Sequence, residues 1–144
     1  MNGFLGTEAP FLSDLSLIIT IFLGGVAAYG GIQAHKKKFY KHCPVMAYAV
    51  FLNWIPVMVV MVPTFIDVLQ GSETLATGLF ANVPIVHGIL GTITQLLMTY
   101  TVTRMYWIES LPPREPIWLM RTTIILWLLT VTGGVGLYTM ANIL

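Results

Sequence analysis

The stretch HKKKFYKHCPVMAYAVFLNWIPVMVVMVP, residues His35–Pro63, decides how this chain is built. Its first seven residues carry four of the protein's seven cationic side chains: Lys36, Lys37, Lys38 and Lys41. From Cys43 to Phe65 there is then no charge at all. At ~1.5 Å per residue such a run crosses the ~30 Å of hydrocarbon in a bilayer as one helix. A basic cluster against one end of an apolar helix also fixes its direction, because lysine and arginine are retained on the cytoplasmic side.

Composition agrees. Of the 144 residues, 56% are hydrophobic and only 9% charged, with a mean hydropathy of +0.81. Soluble domains run at roughly 45–50% and about 25%. A soluble domain of this size exposes too much surface to be covered by so few charges. The expected class is therefore an all-α integral membrane protein. The net charge of +1 matters through its distribution. No basic patch with interleaved aromatics lies away from the membrane flanks, which argues against a nucleic-acid partner. Cys43 is the single cysteine, so an intrachain disulfide and a cysteine-rich metal site are both excluded.

Working outward, Leu15 to Ala34 is a second uncharged run, and Asp14 is placed to cap it. A secretory signal has cations before a shorter apolar core; here they follow it, so a retained anchor is expected. Pro44 suits the first turn of the helix after the basic loop. Pro56 is expected to kink that helix, beside the polar Asn53. Asp67 to Thr77 is polar, with Gly71 and Ser72 as turn residues. Further apolar runs follow from Val83 to Trp107 and from Ile117 to Asn142, separated by the proline-rich Glu109–Pro116. The expectation is a single domain with spans at about 15–34, 43–65, 83–107 and 117–142. Short connections make neighbouring helices antiparallel in an up-down four-helix bundle. The remaining cations, Arg104, Arg114 and Arg121, flank the third connection, whereas the N-terminus and second connection carry only Glu8, Asp14, Asp67 and Glu73. The first and third connections are thus expected inside and both termini outside. Tyr40, Tyr106, Trp107, Trp118 and Tyr138 fall near span ends, where interfacial aromatics belong.

Few residues carry chemistry. His42 and Met46 lie one turn apart on one helix face, and imidazole and thioether both ligate haem iron or a soft metal. His87 stands early in the third span, with Gly88 and Gly91 leaving room for something flat or for a close helix. An ionisable group within a span is a functional candidate by default. The bland alternatives are an interfacial histidine, a gap-filling methionine and a histidine bonded to a neighbouring helix. Depth separates the histidines. Met58 lies about 24 Å beyond His42 along the helix, near the level of His87. His42 and His87 therefore do not easily share one iron. A single haem needs His87 with Met58 or Met61, or His42 with His35, Met98 or Met105, and two separate sites also satisfy the geometry. Asn53, Thr92, Thr94 and Gln95 are expected to bond between helices at roughly 0.6 kcal/mol each. Arg121 is placed to snorkel to the inner surface, or to pair with a haem propionate. No nucleophile–base set, phosphate loop, CxxC or HExxH occurs, so hydrolytic and phosphoryl-transfer chemistry have no support.

The motifs KKKFYKHCPVM and VPIVHGILGT, followed by a tryptophan-started last helix in PIWLMRTTIILWLLTVTGGVGLY, resemble the YozB-like or CtaM-like family of small four-helix membrane proteins. The resemblance runs from about Leu15 to Tyr138. It implies a role in assembling or maturing haem–copper terminal oxidases, with His42, Met46 and His87 at the family's histidine and methionine positions. The family usually has a His-Arg step before its last helix; this chain has Arg104 and Arg114 but no histidine there.

Two readings follow. The first is a haem-b-binding protein of the prokaryotic-type cytoplasmic (inner) membrane, acting in respiratory electron transfer or oxidase maturation, with His42, Met46, Met58, His87 and Arg121 as the cofactor residues and copper as the other metal that His42 and His87 admit. The second is a non-catalytic assembly or structural subunit, a partner of respiratory-complex subunits or of further copies of itself. Glycines such as Gly24, Gly25, Gly30, Gly31, Gly133 and Gly134 favour the second by permitting close helix packing in lipid. A small transporter ranks last, because no broken-helix repeat stands out. The orientation is tested by replacing Cys43 with serine and adding one cysteine elsewhere. In intact cells a membrane-impermeant maleimide should label Ser72→Cys and leave Lys38→Cys unlabelled.

Overall fold

The computed structural model describes residues 4–6, 9–70, 82–106 and 117–142. Four helices are each long and apolar enough to cross a membrane: α1 (Phe11–His35), α2 (Phe39–Leu69), α3 (Val83–Tyr106) and α4 (Ile117–Asn142). The protein is a multi-pass, all-α four-helix membrane bundle. Glu8, Gly71, Ser72, Glu73, Trp107 and Arg114, to which the sequence reading gave roles, lie outside the described residues.

The first two helices begin earlier than the charge pattern suggests. α1 starts at Phe11, capped by the extended Pro10 (φ −60°, ψ 147°), whose carbonyl accepts the N–H groups of Ser13 and Asp14. Asp14 is therefore in the first turn and not the cap. Its fully buried carboxylate accepts the Leu5 N–H at 2.9 Å and the hydroxyl of Tyr138, tying the outer end of α1 to α4. α2 starts at Phe39, so Pro44 falls in the second turn rather than the first. Pro56 neither ends nor breaks α2. The helix runs on through a π-helical turn, Val57–Met61, before returning to α geometry over Val62–Leu69. The turn is closed by the Val62 N–H, which bonds the Val57 carbonyl, and it lies between Pro56 and Pro63.

Between α1 and α2 the chain reverses within three residues. Lys37 adopts a left-handed conformation (φ 57°). Its N–H bonds the Ala34 carbonyl at 2.9 Å, and the Lys38 N–H reaches back to Gln33 at 2.9 Å. This pair of bonds is the Schellman closure, whose left-handed residue is usually glycine. Here a lysine of the basic cluster holds the position.

Each helix packs mainly on its neighbours in sequence, and α4 closes the ring on α1. Small residues set the approach. Ala27 and Ala49 are fully buried between α1 and α2, and a Cβ on Gly24 would meet Val131 of α4 at 3.4 Å. Leu23, Val50, Met98, Val102 and Trp127 complete the apolar centre. Polar side chains are also inside: Asn53, Thr94, Gln95, Arg104 and Thr123 are buried, whereas Phe22, Phe51, Ile55, Ile89, Leu96 and Ile125 face outward. This inversion is what a lipid environment selects, because the hydrocarbon satisfies apolar side chains and no polar ones. Glycine at position 37 removes the steric cost of a Cβ in left-handed backbone. Lys37→Gly should therefore stabilise the fold by roughly 0.5–1 kcal/mol, read as a higher thermal midpoint by circular dichroism in detergent.

Candidate functional site: two intramembrane cavities

The His42–Met46 pair is held by one residue of α1. His42 Nδ1 lies 2.8 Å from the Gly30 carbonyl. A carbonyl only accepts, so Nδ1 carries the proton and Nε2 is left with its lone pair in the neutral ring. Met46 packs on the same glycine: a Cβ at Gly30 would come within 2.7 Å of its Sδ and 3.4 Å of Val45 Cγ1. Close passage of backbone here needs glycine on steric grounds. His42 and Met46 line an inner cavity of about 50 Å³, together with Cys43, Met98, Met105, Met120 and Trp127.

His87 lies elsewhere. It sits on α3 at the wall of an outer cavity of about 250 Å³, lined also by Thr20, Asn53, Met61, Gln95 and Tyr138. Its ring rests on the glycine pair of α4: a Cβ on Gly133 would be 3.2 Å from Nδ1, and one on Gly134 would be 3.4 Å from Cε1. It makes no hydrogen bond to another described residue. The room beside Gly88 is filled by the Phe65 ring of α2, and that beside Gly91 by the Thr130 methyl group. Met98 and Trp127 line both cavities and form the partition between them.

Mid-span polar groups connect α2, α3 and α4. Asn53 Nδ2 donates to Gln95 Oε1 at 2.8 Å, and Trp54 Nε1 donates to Thr99 at 3.1 Å. Thr94 and Thr130 meet at 3.4 Å. Thr92 departs from the expected interhelical role, since its hydroxyl donates to Gly88 of its own helix. Among the described residues two buried oxygens find no partner: Asn53 Oδ1 and Thr20 Oγ1. Both residues line the outer cavity.

The other candidates separate by burial. Met58 is 57% exposed and lines neither cavity, while Met61, one turn on, lines the outer one. Arg121 is exposed on α4, as a snorkelling arginine is. His35 is exposed in the last turn of α1 and lines neither cavity. Thr20 and Tyr138 enter as new site residues. A hydroxyl one turn from Ser16 in an apolar run was the only signal for Thr20, and the partnership of Tyr138 with Asp14 spans too much sequence for local patterning to show it.

Against a haem, the donor set and the space differ. His87 with Met61 is a ligand pair of the right chemistry. The volume of about 250 Å³ is below the ~300–1,000 Å³ of pockets that bury drug-sized ligands. The helices as they stand do not enclose a haem. The chain matches no protein-family model, no curated protein and no solved structure. The packing at Gly88 gives a direct test. Gly88→Ala drives a methyl group into the Phe65 ring and should cost about 1–3 kcal/mol. Gly25→Ala, with nothing within 4 Å of its Cβ, should be close to neutral. Thermal midpoints of the two variants in one detergent decide it.

Proposed function

We propose that this protein is a haem-b-binding factor of the prokaryotic-type cytoplasmic (inner) membrane, serving respiratory electron transfer or terminal-oxidase maturation, with His87 as the iron ligand and no catalytic activity of its own. One observation carries the reading. Of the three histidines, only His87 lines the larger intramembrane cavity, and its ring makes no hydrogen bond to another described residue. Such a group is costly to keep inside a span without a partner. A bound haem supplies one-electron redox chemistry at its iron. The chain's part is to offer the His87 imidazole from α3, a thioether from Met61 on α2, and a glycine floor at Gly133 and Gly134. The volume of the cavity favours a second reading, a non-catalytic assembly subunit that binds respiratory-complex subunits or further copies of itself.

An absorption spectrum of detergent-purified protein from haem-replete cells separates the two. The haem reading expects a Soret band that His87→Ala removes almost entirely. Met58→Leu should leave that band unchanged, and Met61→Leu should shift it. A colourless wild-type protein sinks the haem reading. Co-purification of a stoichiometric membrane partner in mild detergent would then support the second.

A further inference from the structure

The inner cavity collects an unusual set of side chains. Four of the chain's eight methionines, Met46, Met98, Met105 and Met120, line it together with His42 and Cys43. They come from three helices: two turns of α2, two of α3 and the start of α4. The enclosed volume is about 50 Å³, several times the ~10–15 Å³ that holds one water. Methionine is a common gap-filler, but four of them around a small unfilled space leave the gap open.

We propose that this cavity is a binding site for a soft monovalent metal ion, copper(I) in the cell, held by thioether sulfurs and His42 Nε2. Three observations carry the assignment. The ligand types are those that select copper(I) over harder ions. Among the described residues no group of three or more His, Cys, Asp or Glu side chains is placed to hold a metal, so neither a zinc-type nor a carboxylate site competes. His42 is already oriented as ligating histidines are: its Nδ1–H is spent on a backbone carbonyl, which fixes the ring and leaves Nε2 as the donor. Cys43 is a free thiol on the same lining. The site lies at the lysine-rich end of the bundle, the end expected to face the cytoplasm. It is independent of the haem reading, since His87 is not part of it.

The test uses the full-length protein in detergent, free of haem and under anaerobic conditions. Copper(I) is titrated in competition with the chromogenic chelator bicinchoninate, and silver(I) serves as a redox-inert second probe. The expected result is one ion per chain, with copper absorption-edge spectra showing sulfur bonded to the metal. Methionine-to-leucine exchange nearly conserves volume, so the Met98→Leu/Met120→Leu protein should keep its helical spectrum while losing copper affinity by about tenfold or more. His87→Ala should bind copper as the wild type does, whatever the outcome for haem. A wild-type chain that does not compete with the chelator overturns the proposal. So does a double variant that binds as tightly as the wild type, or a loss of copper in His87→Ala.

Discussion

The contact at Gly30 is where the constraints of this molecule meet. One residue without a side chain lets Met46 rest on the backbone of α1, and its carbonyl accepts a hydrogen bond from His42 Nδ1–H. In lipid the hydrophobic effect does not draw helices together, so association depends on close van der Waals approach and on bonds between polar groups. Gly30 supplies both at one point. Ala27 and Ala49 continue the approach toward the middle of the bundle, and the reversal at Lys36–Lys38 holds α1 and α2 in register at the other side of it.

The same logic runs through the other interfaces. α2 and α3 are joined by Asn53–Gln95 and Trp54–Thr99, α3 and α4 by the threonine pair, and α1 and α4 by Asp14 and Tyr138 at the outer end. Each contact is worth little by itself, and their positions along the membrane normal do the specifying. Where these contacts are sparse, the bundle does not close. The outer cavity lies between the Asp14–Tyr138 tie and the Asn53–Gln95 bond, and the inner one lies below Met98 and Trp127. Both cavities are thus consequences of how few polar cross-links a short chain can place.

The architecture was legible in the sequence because its determinants are local. A span is a run of uncharged residues. α3 starts where its run does, at Val83. α1 and α2 start earlier, because Pro10 and Lys38 begin helices before the apolar pattern does. Asn53 and Gln95 were recognisable as candidates for interhelical bonding, but their choice of each other was not. The methionine-lined cavity was hidden for the same reason. Met46, Met98, Met105 and Met120 stand far apart in the chain, and only the bundle brings them to one space. Met58 and Met61 looked interchangeable in sequence, and the structure places one outside and the other against the cavity.

Met58 and Met61 both lie in the π turn over Val57–Met61. A π turn holds one residue more than an α turn, so everything beyond it is set back by about 100° around the axis relative to a regular helix. α2 therefore presents two different faces to its neighbours. The face that carries His42, Met46 and Asn53 inward is not prolonged in phase to Thr64, Phe65 and Val68. A helical wheel drawn through the whole of α2 misassigns its outer third, and the seating of Phe65 on Gly88 depends on that single surplus residue. In arithmetic terms, the upper wall of the larger cavity is an insertion stored in the helix, placed between Pro56 and Pro63.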